Sequence, residues 1–198
     1  FQTRGSVVCD RYLGASGTAI SINTDENGDS FYQAVVCKLN PSGYMAMSNA
    51  FGWTSGGFVE PDQMEIGADG NLLVAGTFRG SIGEVDSVGW DTYHNEFLND
   101  LFLVSMDNDT GELGWALNLG GDDITVYQVT LALGGDGRIY VGREVHLHLV
   151  VDGSPVVDYW ADSSLEVASE DGEWLETFEK PGTGTLRIYE IAVGAGNE

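Results

Sequence analysis

Two stretches of fifteen residues, Asp62 to Gly76 (DQMEIGADGNLLVAG) and Gln128 to Gly142 (QVTLALGGDGRIYVG), constrain this chain more than any other feature. Each is an apolar-alternating run, a tight turn carrying Asp-Gly and a second run that closes on Gly, which is the sequence signal of a β-hairpin. Gly70 and Gly137 stand 67 residues apart, so the hairpin belongs to a repeat. A third copy, YEIAVGAGN from Tyr189 to Asn197, matches VTLALGGDG and sets the marker Gly196 59 residues beyond Gly137. The middles of the copies agree as well. VVCKLNPSG (Val35 to Gly43), FLVSMDNDTG (Phe102 to Gly111) and LEVASEDG (Leu165 to Gly172) each read as a strand ending in a polar turn with Gly. Trp115 and Trp174 follow two of these turns and are expected to pack between repeats.

The ends of the chain divide one hairpin between them. The last period stops at Gly196-Asn197-Glu198, where the second continues into a strand, and GSVVCDRYLG (Gly5 to Gly14) opens the first period in the place that GNLLVAG takes later. The expected organisation is one domain over residues 1–198 with periods at about 5–70, 70–137 and 137–196 in permuted phase. AVVCKL, NLLVAGTF, DLFLVSM, VYQVTLAL, RIYVG and LRIYEIAV all read as strands, and no segment has helical periodicity. A period has room for about four strands, the content of one propeller blade, and propellers typically have at least four blades. The expected fold is therefore all-β: a β-propeller-like array of about three four-stranded blades, part of a larger propeller or completed by strand exchange with a neighbour. Closure of the ring by the chain's own two ends ranks behind these, because three blades make a wide or irregular ring.

The 31 Asp and Glu against 8 Lys and Arg give a formal net charge of −23, which repels phosphate backbones and anionic lipid and argues against nucleic-acid partners. Divalent cations are the more natural companions, and high charge of one sign also keeps an exposed protein soluble. No run reaches the 18 or more apolar residues of a membrane span, and FQTRGSVVCD has no signal-peptide pattern. A start at Phe1 reads as a processed mature protein or a piece of a longer one. Cys9 and Cys37 both lie in strand-like runs, as two buried thiols or as one disulfide if the compartment is oxidising.

DLFLVSMDNDTGELGWALNLGG (Asp100 to Gly121), a spacer and then QVTLALGGDGRIYVG resemble the seven-bladed β-propeller repeats of secreted bacterial proteins. The pattern is an Asp-aromatic-Val strand, a Gly turn, a Trp, a Gly-Gly pair and an alternating strand before Gly-Asn-aromatic-Val-x-Gly. The second copy carries it most fully. The first has Phe51-Gly52-Trp53 where Trp and Gly-Gly would stand, and the third has no Gly-Gly after Trp174. The resemblance implies a secreted or surface propeller module and no particular activity.

Candidate chemistry lies in three places. Asn23, Asp25, Asn27 and Asp29, within NTDENGD, have the alternating-oxygen spacing of a calcium loop, with Gly28 for the turn. An EF-hand is excluded because its twelfth position is Ala34. The alternative is an Asx/Gly hairpin loop. Asp107 and Asp109 form a shorter turn of the same kind. Glu144, His146 and His148 alternate along a strand, so they share a face and could hold zinc or another transition metal, or simply form a wet polar face. Trp90, Tyr93 and Trp160 lie in irregular stretches and could stack on sugars. Catalysis finds no support: there is no GxSxG elbow and no Cys–His arrangement, and with this many acids a close carboxylate pair carries no information. The function expected is a non-enzymatic secreted, extracellular or cell-surface structural or adhesive module that joins other copies or further repeats. A glycan- or protein-binding propeller with structural Ca2+ comes second, and a propeller glycosidase or lyase last.

Overall fold

The computed structural model describes residues 16–24, 30–40, 42, 44–51, 58–79, 100–119, 124–151, 154–179 and 191. Eleven strands and no helix occur among them: β1 (Ser16–Thr24), β2 (Ser30–Leu39), β3 (Met45–Phe51), β4 (Phe58–Ile66), β5 (Leu72–Arg79), β6 (Asp100–Met106), β7 (Leu113–Asn118), β8 (Ile124–Leu133), β9 (Arg138–Val151), β10 (Ser154–Ser169) and β11 (Trp174–Glu179). They form three antiparallel sheets, each paired in chain order: a first sheet β1-β2-β3, a middle sheet β4-β5-β6-β7 and a third sheet β8-β9-β10-β11. The chain is all-β, as its period-two alternation requires.

The marker glycines earn their place in the turns. Gly70 and Gly137 adopt φ of 87° and 78°, and Gly111 and Gly172 adopt 77° and 82°, a region where a Cβ is strained. In both Asp-Gly turns the strands are closed by the same bond, from Gly67 N to Asn71 O at 2.8 Å and from Gly134 N to Arg138 O at 2.7 Å. The Asp carboxylate then caps the turn, accepting from Asn71 N (2.9 Å) at Asp69 and from Arg138 N (3.3 Å) at Asp136. Equivalent closures, Asn40 N to Tyr44 O, Asp107 N to Glu112 O and Ser169 N to Glu173 O, align the strands β2, β6 and β10 with one another.

The sheets run one strand out of phase with the sequence period. The period 70–137 contains β5, β6, β7 and β8, yet β8 joins the sheet that follows and β4 joins the sheet of β5. The Asp-Gly turn therefore joins two strands of one sheet, and the period boundary cuts through it. The strand beside β2 is Ser16–Thr24, with Ser16 opposite Lys38 and Ile20 opposite Ala34. That place was expected for Gly5 to Gly14, which lie outside the described residues. The first sheet accordingly has three described strands and not four.

The middle sheet is covered on both faces, and its sequence shows why. All seven residues of β6 are buried, so DLFLVSM is a continuous apolar run and not an alternating one. Leu72, Val74, Phe78, Phe102, Val104 and Met106 pack towards Ala34 and Val36 of the first sheet. The alternate residues Leu73, Ala75, Leu101 and Leu103 pack towards Val129, Leu131, Ile139 and Val141 of the third. Phe78 and Phe102 meet edge to face, their centroids 6.3 Å apart. One stacking relation is used twice: β4 lies over β1 and β2, and β8 lies over β5 and β6.

Candidate functional site

The five tight turns gather at one end of the stack, since an antiparallel meander returns alternate turns to the same end and contacts between the sheets join them. Lys38, at the end of β2, donates to Asn108 O at 2.9 Å and pairs with Asp109 at 3.1 Å. Ala68 N donates to Glu170 Oε1 at 2.8 Å, and the Trp115 indole N–H donates to Glu170 O at 2.9 Å. Gly172 lies flat on the Trp115 ring, where a Cβ would come within 2.6 Å of it. Trp115 is thus an inter-sheet residue, as expected. Trp174 is not its counterpart: the turn alignment puts it opposite Ala168 as Leu113 is opposite Met106, and it is 55% exposed.

Asp107 and Asp109 sit in this end as turn chemistry. Asp107 Oδ1 accepts from Asp109 N (2.9 Å), Thr110 N (2.6 Å) and Thr110 Oγ1 (3.0 Å). These bonds, that of Thr110 N first, lower the Asp107 pKa below the usual carboxylate value. Asn23 is the last residue but one of β1, while Asp25, Asn27 and Asp29 lie outside the described residues. Glu144, His146 and His148 lie on β9, opposite Gln128 of β8 and Trp160 and Asp158 of β10 respectively. Trp90 and Tyr93 lie outside the described residues, as does Cys9, and Cys37 is fully buried on β2. Among the described residues no group of three or more His, Cys, Asp or Glu is arranged to hold a metal ion.

The strongest polar constellation is one that the sequence did not single out. Arg143 of β9 and Glu166 of β10 form an ion pair at 3.0 Å, with side chains only 12% and 3% exposed. Ser164 bridges them, accepting from Arg143 Nε at 2.6 Å and donating to Glu166 Oε1 at 3.2 Å. Glu166 Oε2 accepts from the Trp174 indole at 3.1 Å and from the Thr177 hydroxyl. Arg143 then crosses to the middle sheet, donating to Leu119 O at 2.6 Å, and Leu119 is itself anchored by its N–H to Leu101 O. A buried ion pair persists only when its remaining donors and acceptors are met, and here they are met. The serine hydroxyl is held between the guanidinium and the carboxylate, and through Arg143 and Leu119 O the cluster fastens the third sheet to the middle one. The signal for it was present: RIYVGRE places one of only eight basic residues inside an apolar strand, and LEVAS places an acid between two apolar neighbours.

Asp62 is the second unanticipated group. It sits in a β-bulge of β4, between Pro61 and Gln63, where proline offers no N–H to the ladder. Its carboxyl reaches the surface, yet the protein around it removes much of its hydration, and with Glu60 nearby the pKa is raised to about 7. Gly76 stands opposite this bulge, where a Cβ would fall 2.1 Å from Glu60 O. No protein-family model matches the chain, and no curated protein matches it in sequence.

Proposed function

We propose that the chain is a non-enzymatic structural or adhesive module, secreted or displayed at a cell surface, whose propeller-like sheets join further copies or repeats. The observation that carries this is the stacking relation used twice, with β4 laid over β1 and β2 and β8 laid over β5 and β6. The first strands of the middle and third sheets, β4 and β8, are also in contact with each other, which suits blades arranged about an axis. Asp107 and Asp109 are engaged in a turn, and Arg143, Ser164 and Glu166 are engaged with one another between sheets. Among the described residues β11 is an edge strand, its Leu175 and Phe178 are 44% and 51% exposed, and such a strand is a template for a neighbouring chain. The test is sedimentation over a hundredfold range of concentration. Association that Leu175→Asp with Phe178→Asp abolishes supports the proposal, and a monomer at every concentration overturns it.

A second reading, a glycan- or protein-binding propeller with structural Ca2+, is favoured by the acidic turn end, where Asp69, Asp109, Asp136 and Asp171 are exposed. A rise in melting temperature on adding Ca2+ would support it, and no change would count against it.

A further inference from the structure

Beyond the joining of copies, we infer that the edge of β11 binds an extended segment of another protein in which apolar residues alternate with lysine or arginine. Among the described residues five large apolar side chains are exposed, and three of them, Trp174, Leu175 and Phe178, lie on this one six-residue strand. The matching strand of the middle sheet spends the same positions on the core. Leu113, Trp115 and Leu117 of β7 stand opposite Met106, Ser105 and Leu103, as Trp174, Glu176 and Phe178 stand opposite Ala168, Val167 and Leu165. All three β7 side chains pack against the buried clusters, whereas β11 keeps two large apolar side chains in solvent with a carboxylate between them.

Those side chains lie on both faces of the strand. Trp174 and Thr177 donate to Glu166 on the side turned to the middle sheet, and Phe178 is opposite Leu165 on the other side. A layer laid on one face would cover only one of them, whereas a strand paired along the edge meets both at once. Among the described residues β11 ends the third sheet, so the occupant adds a strand there. Charge decides what kind of strand. Glu173 is exposed and Glu176 half-exposed along this edge, and the turn before them adds the exposed Asp171. Arg138 reaches Glu176 at 3.6 Å but is shared with Asp136 at 3.4 Å, and half-exposed pairs of this kind carry little weight. A second copy brings its own carboxylates, since the chain carries a net charge of −23 and two-fold pairing centred on Glu176 sets that residue against itself. A basic strand neutralises the edge instead. Directly opposite residues share a face, so the occupant has a basic residue opposite Glu176 and apolar ones opposite Leu175 and Phe178.

The test is a fluorescently labelled peptide, TVTKVTK, titrated by anisotropy with the chain over concentrations where sedimentation shows monomer. Set antiparallel to β11 it offers valine to Leu175 and Phe178 and lysine to Glu176, and TVTEVTE is the control. The expected result is salt-sensitive binding of TVTKVTK alone, lost in Leu175→Asp with Phe178→Asp. Glu176→Lys, which leaves every apolar side chain in place, should weaken TVTKVTK by about tenfold and bind TVTEVTE in its stead. No binding of TVTKVTK, equal binding of both peptides, or binding that survives Leu175→Asp with Phe178→Asp overturns the inference. Copies that associate through β11 while TVTKVTK stays free also overturn it and leave the assembly proposal standing. TVTKVTK bound by a chain that never associates upholds it while the assembly proposal falls.

Discussion

Where the middle sheet carries Gly76, Phe102 and Val104, the third sheet carries Arg143, Ser164 and Glu166 at the matching ladder positions: Gly76 is opposite Phe102 as Arg143 is opposite Ser164, and Val74 is opposite Val104 as Val141 is opposite Glu166. Both sets face the preceding sheet. The middle sheet sets a large ring on β6 over a glycine on β5, and the third sets a large side chain on β9 over a small one on β10. In the first case the space is closed by dispersion and apolar burial. In the second it is closed by charge, with every polar group engaged. The comparison teaches that a stacked sheet needs volume and satisfied polarity at this position, and that apolar identity is only one way to meet that need.

The largest effect expected on breaking this comparison comes from Glu166→Ala. It leaves Arg143 buried without its partner, and chemical denaturation should show a loss of about 3–5 kcal/mol. Arg143→Met with Glu166→Leu, which gives the third sheet the apolar solution of the middle one, should recover most of that loss. A double variant no better than Glu166→Ala alone would mean that the cluster fixes the sheet-to-sheet geometry and not merely its volume. Gly76→Ala tests the other side. The new Cβ meets the Glu60 carbonyl and the Phe102 ring, so overpacking should cost about 1–3 kcal/mol by the same measurement.

The smallest effect concerns the bulge beside Gly76. The folded state raises the Asp62 pKa from 3.8 to about 7, so between these values it holds a proton that the unfolded chain has released. Its contribution to stability is therefore fully present below about pH 4 and is lost as pH rises towards 7. Because the carboxyl reaches solvent, the full shift overstates its weight, and about 1 kcal/mol is the appropriate scale. Asp62→Asn should raise the melting temperature by about 2–4 °C at pH 8 and leave it unchanged at pH 4. An equal change at both pH values would separate the effect from ionisation.

Much of the fold was legible because its signals are local. The Asp-Gly turns with their positive-φ glycines announce hairpins, and the unbroken apolar run of β6 announces a strand buried on both faces. SVVCD and GTAISI are equally good strands by sequence; the first lies outside the described residues, and only the pairing puts Ser16–Thr24 beside β2. Trp174 was matched to Trp115 because each follows a turn, but Trp115 is four residues beyond Gly111 and Trp174 only two beyond Gly172, so Trp174 takes the ladder position of Leu113 and Glu176 that of Trp115. The Arg143–Glu166 cluster was missed because Arg143 on β9, Ser164 and Glu166 on β10, Trp174 and Thr177 on β11 and Leu119 after β7 meet only once the strands pair and the sheets stack.

By itself the sequence determined that the described residues are all-β and where their turns fall, since turn conformation and strand alternation depend on neighbours along the chain. The tertiary structure decided which strands share a sheet, which face of each meets the next, and that a charge pair occupies one position where its neighbour holds a phenylalanine over a glycine. Those choices rest on contacts between residues far apart in sequence, where burial and hydrogen-bond satisfaction, not local propensity, set the free energy.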